Sequence, residues 1–449
     1  MKKFKSKYII GIIFVCIIAF FFGSVCYRVY RVKRYNDYGT VTSETDASGN
    51  DKQESYDWAS EYTFSEKYDC KTVKSIEKSS DKESTAEKNT NETSEKGYLS
   101  VAQQFKDSVD YYTSMLIPGR MRYVEANALF NKWIGMKIIT GSDSVVAMKN
   151  GYLTFENNYK IVGDNAANSL KWFSDILKEK GIDFAYIQYP AKEDPNNNQL
   201  PEGIEDNSNL NADTVLNKLD QNGVKYLDMR TLLSEKEGNW YENFFKTDHH
   251  WKPETGVWAS GKIIDMLNND FGYNFDDTVG DLNNYNIDVY EKYCLGSQGR
   301  VATLRFADPE DISIIYPKKE TDFSVQYDNN PIKNGSFEDV FFDRSRLNKD
   351  YYNNSAYAAY LYGTKPITRI KNNNCSNGKR LLIIGDSYNC CVVPYLALSI
   401  EQVDIIDRRY FDGSIINYIE KTNPDIVLSA CTPTEIDGAN HHRALLNFE

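Results

Sequence analysis

Histidine is nearly missing from this chain, with 4 residues in 449. Imidazole chemistry therefore has few places to sit, and two of the four are adjacent, at His249 and His250. Cys-x-x-Cys spacing is absent, which removes the pattern of a structural zinc ribbon. Six of the eight cysteines lie beyond residue 34 (Cys70, Cys294, Cys375, Cys390, Cys391 and Cys431), and their spacings form no recognisable disulfide framework. Excess positive charge is missing too: Lys and Arg number 52 against 64 Asp and Glu. The net charge of -12 is unevenly placed: residues 1–34 sum to +8, residues 35–97 to -7, and the rest to -13. A body this acidic repels phosphate backbones, so nucleic acid is not an expected partner. No internal repeat is evident.

The first segment bears on the compartment. Ile9 to Cys26 are 18 residues without a charge, rich in Ile, Phe and Val. At about 1.5 Å per residue they reach roughly 27 Å, enough to cross a bilayer core. The run lacks the small-residue ending of a cleavable signal peptide. A transmembrane anchor is expected over about 8–27 of an N-terminal segment 1–34. Positive groups flank both sides, so orientation rests on the short basic N-terminus staying inside. That sends the rest of the chain outside the cytoplasm, as a single-pass protein of the cell membrane. Residues 35–97 have almost no aliphatic side chains and cannot offset their chain entropy, so they read as a disordered tether.

From residue 98 to 449, helical and strand periodicities alternate. Helices are expected at Ser169–Lys180, Thr214–Leu219, Pro253–Leu267, Cys390–Ile400 and around Ile415–Ile419. Strands are expected at Ile182–Gln188, Val224–Asp228, Ile312–Tyr316, Arg380–Ile384, Val403–Ile406 and Asp425–Ser429. Such alternation predicts an α/β domain, a largely parallel sheet with helices on both faces. Residues from about 273 to 370 break the rhythm with Asn, Asp and Tyr, and read as an insertion.

Two segments can carry chemistry. Leu381-Leu382-Ile383-Ile384-Gly385-Asp386-Ser387 is an apolar strand that stops at Gly-Asp-Ser before a predicted helix. A serine there presents its hydroxyl at the carboxyl end of a strand, with its own N–H available to an oxyanion. The plainer alternative is that Ser387 or Asp386 caps the helix. A serine needs an imidazole to take its proton and a carboxylate to orient that ring. Asp248 and His250 are two apart, so in an extended segment their side chains point the same way. Adjacent His249 and His250 then point apart, which argues against a shared metal.

Asp248-His249-His250-Trp251 resembles the signature of the DHHW family, and the resemblance runs over most of residues 98–435. It includes Pro118-Gly119-Arg120, Val145 to Leu153, Tyr189-Pro190-Ala191-Lys192, Leu200-Pro201, Gly385 to Tyr388, and Pro424-Asp425-Ile426-Val427. This family is similar to the SGNH-like domains of periplasmic alginate O-acetyltransferases. The resemblance implies an SGNH-hydrolase-like (flavodoxin-like) sheet, with Ser387 as nucleophile, His250 as base and Asp248 as acid. His249 falls at the variable position. Asp386 remains a second carboxylate that could pair with His250, and His441-His442 a rival source of base. Asn389 and Arg120 are candidates by position for the second oxyanion donor. Trp251, Trp258, Tyr357, Tyr360 and Tyr362 are candidates for a sugar groove, although core packing is the better expectation for any single one. No cofactor and no metal are expected. The implied activity is O-acetyl transfer to a cell-envelope or secreted polysaccharide, with a multi-pass membrane acyltransferase as a possible acetyl donor. A carbohydrate acetyl esterase with the same triad, or a non-catalytic glycan-binding protein, are the alternatives.

Overall fold

The computed structural model describes residues 120–139, 144–156, 161–436, 446 and 448. Two compact units divide after Asn127, and the sheets and cores below belong to the second. The expected anchor and tether, with His441 and His442, lie outside the described residues. Among the described residues no helix is long and apolar enough to cross a membrane.

Strands β1 (Ile138–Ile139), β2 (Val145–Ala147) and β3 (Leu153–Phe155) form a small antiparallel sheet. They are followed by β4 (Asp183–Gln188) and β5 (Tyr226–Asp228), then by β6 (Tyr285–Cys294) and β7 (Glu310–Pro317), which pair with each other. The remainder are β8 (Phe323–Tyr327), β9 (Lys333–Gly335), β10 (Ile367–Asn372), β11 (Arg380–Gly385), β12 (Gln402–Ile406) and β13 (Ile426–Cys431). The main sheet has the order β5-β4-β13-β11-β12-β10-β8-β9.

Its first five strands are parallel, as the alternating pattern implies. The other three are antiparallel to their neighbours, so the sheet is mixed and not simply parallel. The irregular segment 273–370 supplies β6 to β9 and the start of β10. β8 and β9 have only 5 and 3 residues, and β6, with 10, is exposed or half-buried over all but its two ends, so these strands leave little apolar periodic trace.

Period-2 alternation separates two cores. Leu381 and Ile383 of β11, with Leu428 of β13, face a core containing Val257 and Ile263 of the helix Pro253–Phe271. Leu382, Ile384 and Val427 face the other, with Leu170, Phe173, Val215 and Ile419 from three helices. Helices thus cover both faces of the central strands, leaving their ends for chemistry.

The helix expected over Cys390–Ile400 is broken. A 3-10 turn, Ser387–Cys391, is followed by a short helix, Val393–Leu396. Pro394 has no N–H to give and so fits only the first turn of a helix, where the backbone restarts. The broken piece packs tightly: a methyl at Gly256 would lie 2.3 Å from the Cys391 carbonyl oxygen. Gly256→Ala is therefore expected to cost about 1–3 kcal/mol through overpacking. Thermal unfolding measures it, and an unchanged midpoint would refute the close approach.

Candidate active site

The turn that carries Ser387 is assembled by backbone and buried side chains. Strand β11 ends at Gly385, where a Cβ would meet Asn389 Nδ2 at 2.2 Å and the Ala430 carbonyl oxygen at 2.5 Å, so only glycine fits without displacement. Asp386 caps the 3-10 turn, its Oδ1 accepting the Tyr388 N–H at 2.9 Å. Its Oδ2 accepts from the Thr432 N–H at 2.8 Å and the Thr432 hydroxyl at 3.2 Å, tying the turn to the end of β13. Asn389 donates to the Asp386 and Ala430 carbonyls at 3.1 and 3.2 Å and accepts from the Tyr189 hydroxyl at 2.7 Å. Both side chains are buried, and both brace the turn from behind. Trp251 is also fully buried, packed on Tyr189 and Tyr388, with its indole N–H unpartnered among the described residues. None of these three reaches an open groove. Arg120 begins the helix Arg120–Trp133, and its side chain lies outside the described residues.

A turn between Phe244 and Trp251, closed by their bridge pairing, carries the other half of the site. His250 Nε2 lies 2.7 Å from Ser387 Oγ, across 137 residues of chain. Its Nδ1 lies 2.5 Å from Asp248 Oδ1, which also accepts the His250 backbone N–H at 3.0 Å. Asp248 Oδ2 accepts the Ser297 N–H at 2.8 Å. This pattern leaves Nδ1–H as donor to the carboxylate and Nε2 as acceptor for the serine proton. The structure thus brings Ser387, His250 and Asp248 together in that order, and keeps Asp386 off the ring.

Burial alone would raise the pKa of Asp248. The His250 and His249 imidazoles and the hydrogen bonds from His250 outweigh it and hold the group well below the usual carboxylate range. Asp386 behaves oppositely: burial lifts it to about 7, Glu435 adding to the rise and Arg409 opposing it. A folded-state value above the unfolded one, about 3.9, stabilises below that pH and loses the contribution as pH rises through 7. The midpoint of thermal unfolding should accordingly fall more steeply from pH 4 to 7 in wild type than in Asp386→Asn. Parallel slopes would remove Asp386 as the cause.

The two histidine rings do not point apart, because their segment turns instead of extending. Their centres lie 3.8 Å apart with the planes tilted by 37°, and Tyr357 stacks on His250 at 3.7 Å and 12°. The Asp248, His249 and His250 donors all lie within 4.8 Å of one another. Both nitrogens of His250 and both oxygens of Asp248 are already engaged, and His249 Nδ1 faces Ser297 Oγ at 2.9 Å. A cation here would have to displace the serine contact.

Several supporting residues carry no mark in the sequence. A Cβ at Gly296 would lie 2.2 Å from Asp248 Cβ, so Gly296 lets the Ser297 N–H approach the carboxylate. The short helix Ser297–Ala302 opens there, and the only local sign of it is the Gly-Ser pair before Gln298. Tyr357 is 3% exposed and covers the imidazole, while Tyr360 is core, its hydroxyl donating to the Ser313 carbonyl at 2.7 Å. The Tyr388 hydroxyl donates to the His249 carbonyl, joining the serine turn to the histidine turn.

Comparison with known families matches residues 156–276 to the SGNH hydrolase-like domain of the acetyltransferase AlgX. No curated protein matches. Among solved structures, Bacillus cereus PatB1 with a sulfonyl adduct superposes with a TM-score of 0.56 at 20% identity, covering 69% of this chain and 99% of that one. A DHHW family protein from Eubacterium siraeum gives 0.52 at 22% identity, covering 68% and 95%. Residues 156–276 are therefore similar to an SGNH hydrolase-like domain, and the chain shares the fold of a DHHW family protein.

Proposed function

We propose that this chain is an extracytoplasmic, serine-dependent O-acetyltransferase that modifies a cell-envelope or secreted polysaccharide through an acyl-enzyme. The observation that carries the reading is the unbroken line from Ser387 Oγ through the His250 ring to Asp248. In the first half, Ser387 Oγ attacks the donor's acyl carbon while its proton passes to His250 Nε2. The Ser387 N–H, an orphan donor at the first position of the 3-10 turn, supports the oxyanion. Collapse expels the donor's leaving group, which takes the proton from His250. In the second half, a sugar hydroxyl gives its proton to Nε2 and attacks the acyl-serine. The proton then returns to Ser387 as the new ester leaves.

The match to an acetyltransferase's SGNH hydrolase-like domain supports acyl chemistry, and the apolar N-terminal run supports a membrane-tethered outer location. A multi-pass membrane acyltransferase would supply the acetyl group on that side. Cells carrying Ser387→Ala or His250→Ala in place of wild type are expected to lose acetate released by mild base from surface glycans. A rise instead would assign deacetylation to the same triad, and no change would end both enzymatic readings.

A further inference from the structure

The segment Tyr189-Pro190-Ala191-Lys192 follows directly on β4. Tyr189 has a task in bracing Asn389, but Lys192 does not yet have one. It is only 2% exposed, and lysine is almost never buried so fully unless something holds its charge. Its ammonium reaches three separate segments. It donates to the Leu153 carbonyl of β3 and to Gln298 Oε1 at 2.8 Å. The Lys246 carbonyl lies 3.5 Å away, at the outer limit of a hydrogen bond. Trp240 Nε1 donates to the Lys192 carbonyl at 3.1 Å, which fixes the backbone that carries this side chain.

The partners of Lys192 belong to the frame around Asp248. Lys246 and Thr247 lead into Asp248, and Gln298 follows Ser297, whose N–H holds Asp248 Oδ2. The Gly299 N–H donates to the Thr247 carbonyl at 2.8 Å, and the Gly296 N–H to the Thr247 hydroxyl at 3.1 Å. Glu310 accepts from the Lys246 and Thr247 N–H groups at 2.8 and 2.7 Å. A carboxylate thus grips the N–H groups of this segment, while the ammonium approaches one of its carbonyls. The helix Ser297–Ala302 has only 6 residues, too few to be stable alone, so its seat against Asp248 depends on such contacts.

Burial pushes the ammonium down to about 8, while Glu193, Glu310 and Asp248 oppose the fall, so it stays mostly charged at neutral pH. An ammonium also offers three diverging donors, which no neutral side chain of similar length supplies. We propose that Lys192 is a positioning residue of the triad: its ammonium fastens Gln298 and the Lys246 carbonyl to β3, and so seats the Ser297 N–H on Asp248. This rests on the acyl-serine reading for only one of the two measurements that test it.

Lys192→Met keeps the length of the side chain and removes every donor. In the full-length variant the maximal rate of the nitrophenol burst from p-nitrophenyl acetate is expected to fall on the order of 10- to 100-fold, the effect of a small misplacement at a reacting group. The half-saturating ester concentration should stay within about twofold, since Lys192 touches no substrate. Lys192→Arg keeps the charge and the donors and should recover most of the rate. The second measurement needs no turnover. With 4 histidines in the chain, isotope-labelled histidine isolates the far-downfield Nδ1–H proton that His250 gives to Asp248, assigned by its loss in His250→Ala. That signal should weaken or move upfield in Lys192→Met and persist in Lys192→Arg. Gln298→Met removes the acceptor instead, should give the same changes, and decides the matter if Lys192→Met does not fold. In a folded Lys192→Met or Gln298→Met, an unmoved signal would overturn the proposal. So would a burst at the wild-type rate, an arginine variant as impaired as the methionine one, or absence of the signal from wild type. A wild type that forms no acyl-enzyme, yet loses the signal on Lys192→Met, would end acetyl transfer and leave Lys192 in its role.

Discussion

Asp248→Asn is expected to slow acylation about 10⁴-fold, the effect that loss of the orienting carboxylate has in serine triads. Both oxygens of Asp248 accept: Oδ1 from His250 Nδ1 and the His250 N–H, Oδ2 from the Ser297 N–H. An amide cannot satisfy all three donors. With its NH2 toward the ring it would force the proton onto Nε2, which then faces Ser387 with no lone pair to receive the hydroxyl proton. With its NH2 toward Ser297 it sets two donors against each other, at about 1–3 kcal/mol. Either way the negative charge behind the developing imidazolium is gone. The burst of nitrophenol from p-nitrophenyl acetate measures acylation directly. A loss below tenfold in a folded variant would show that another carboxylate serves the ring, with Asp386 the obvious rival.

Ser387→Ala should have the largest effect, a fall on the order of 10⁶ in turnover, because no acyl-enzyme can form. An aryl sulfonyl fluoride should add one sulfonyl group to the wild-type chain and none to the variant, read by intact mass. Labelling that persists in Ser387→Ala would move the nucleophile elsewhere. His250→Ala provides a control of a different kind: it keeps the hydroxyl but removes the proton acceptor at 2.7 Å, so labelling should slow greatly without the attachment site being lost.

Parts of the fold and of the site are legible in the amino-acid order alone. The apolar stretch ending in Gly-Asp-Ser marks a buried strand that stops at a turn, because a buried parallel strand must be apolar on both faces. Asp248 and His250 are legible as partners because two residues of one short segment cannot be far apart. Most helices and strands from 163 to 271 and from 380 to 431 follow from periodicity with shifted boundaries, but the helix Met229–Glu235 leaves no such trace and the one expected over Cys390–Ile400 is broken. The conformation of His249 and His250 is not legible, since a turn and an extended strand can share the same four residues. Nor is the antiparallel part of the sheet, whose strands β8 to β10 arise in an Asn- and Tyr-rich stretch.

By itself, the sequence determined the kinds of chemistry available: which few imidazoles exist, which serine ends a buried strand, and that the body carries a net negative charge. These are local or compositional properties, and a linear chain displays them directly. Tertiary structure alone decided that residues 250 and 387 meet. It also placed Gly296 and Ser297 behind the carboxylate, laid Tyr357 over the imidazole, and turned Asp386, Asn389 and Trp251 inward as supports. Those contacts join segments dozens to more than a hundred residues apart, and no short-range periodicity in the chain records such a meeting.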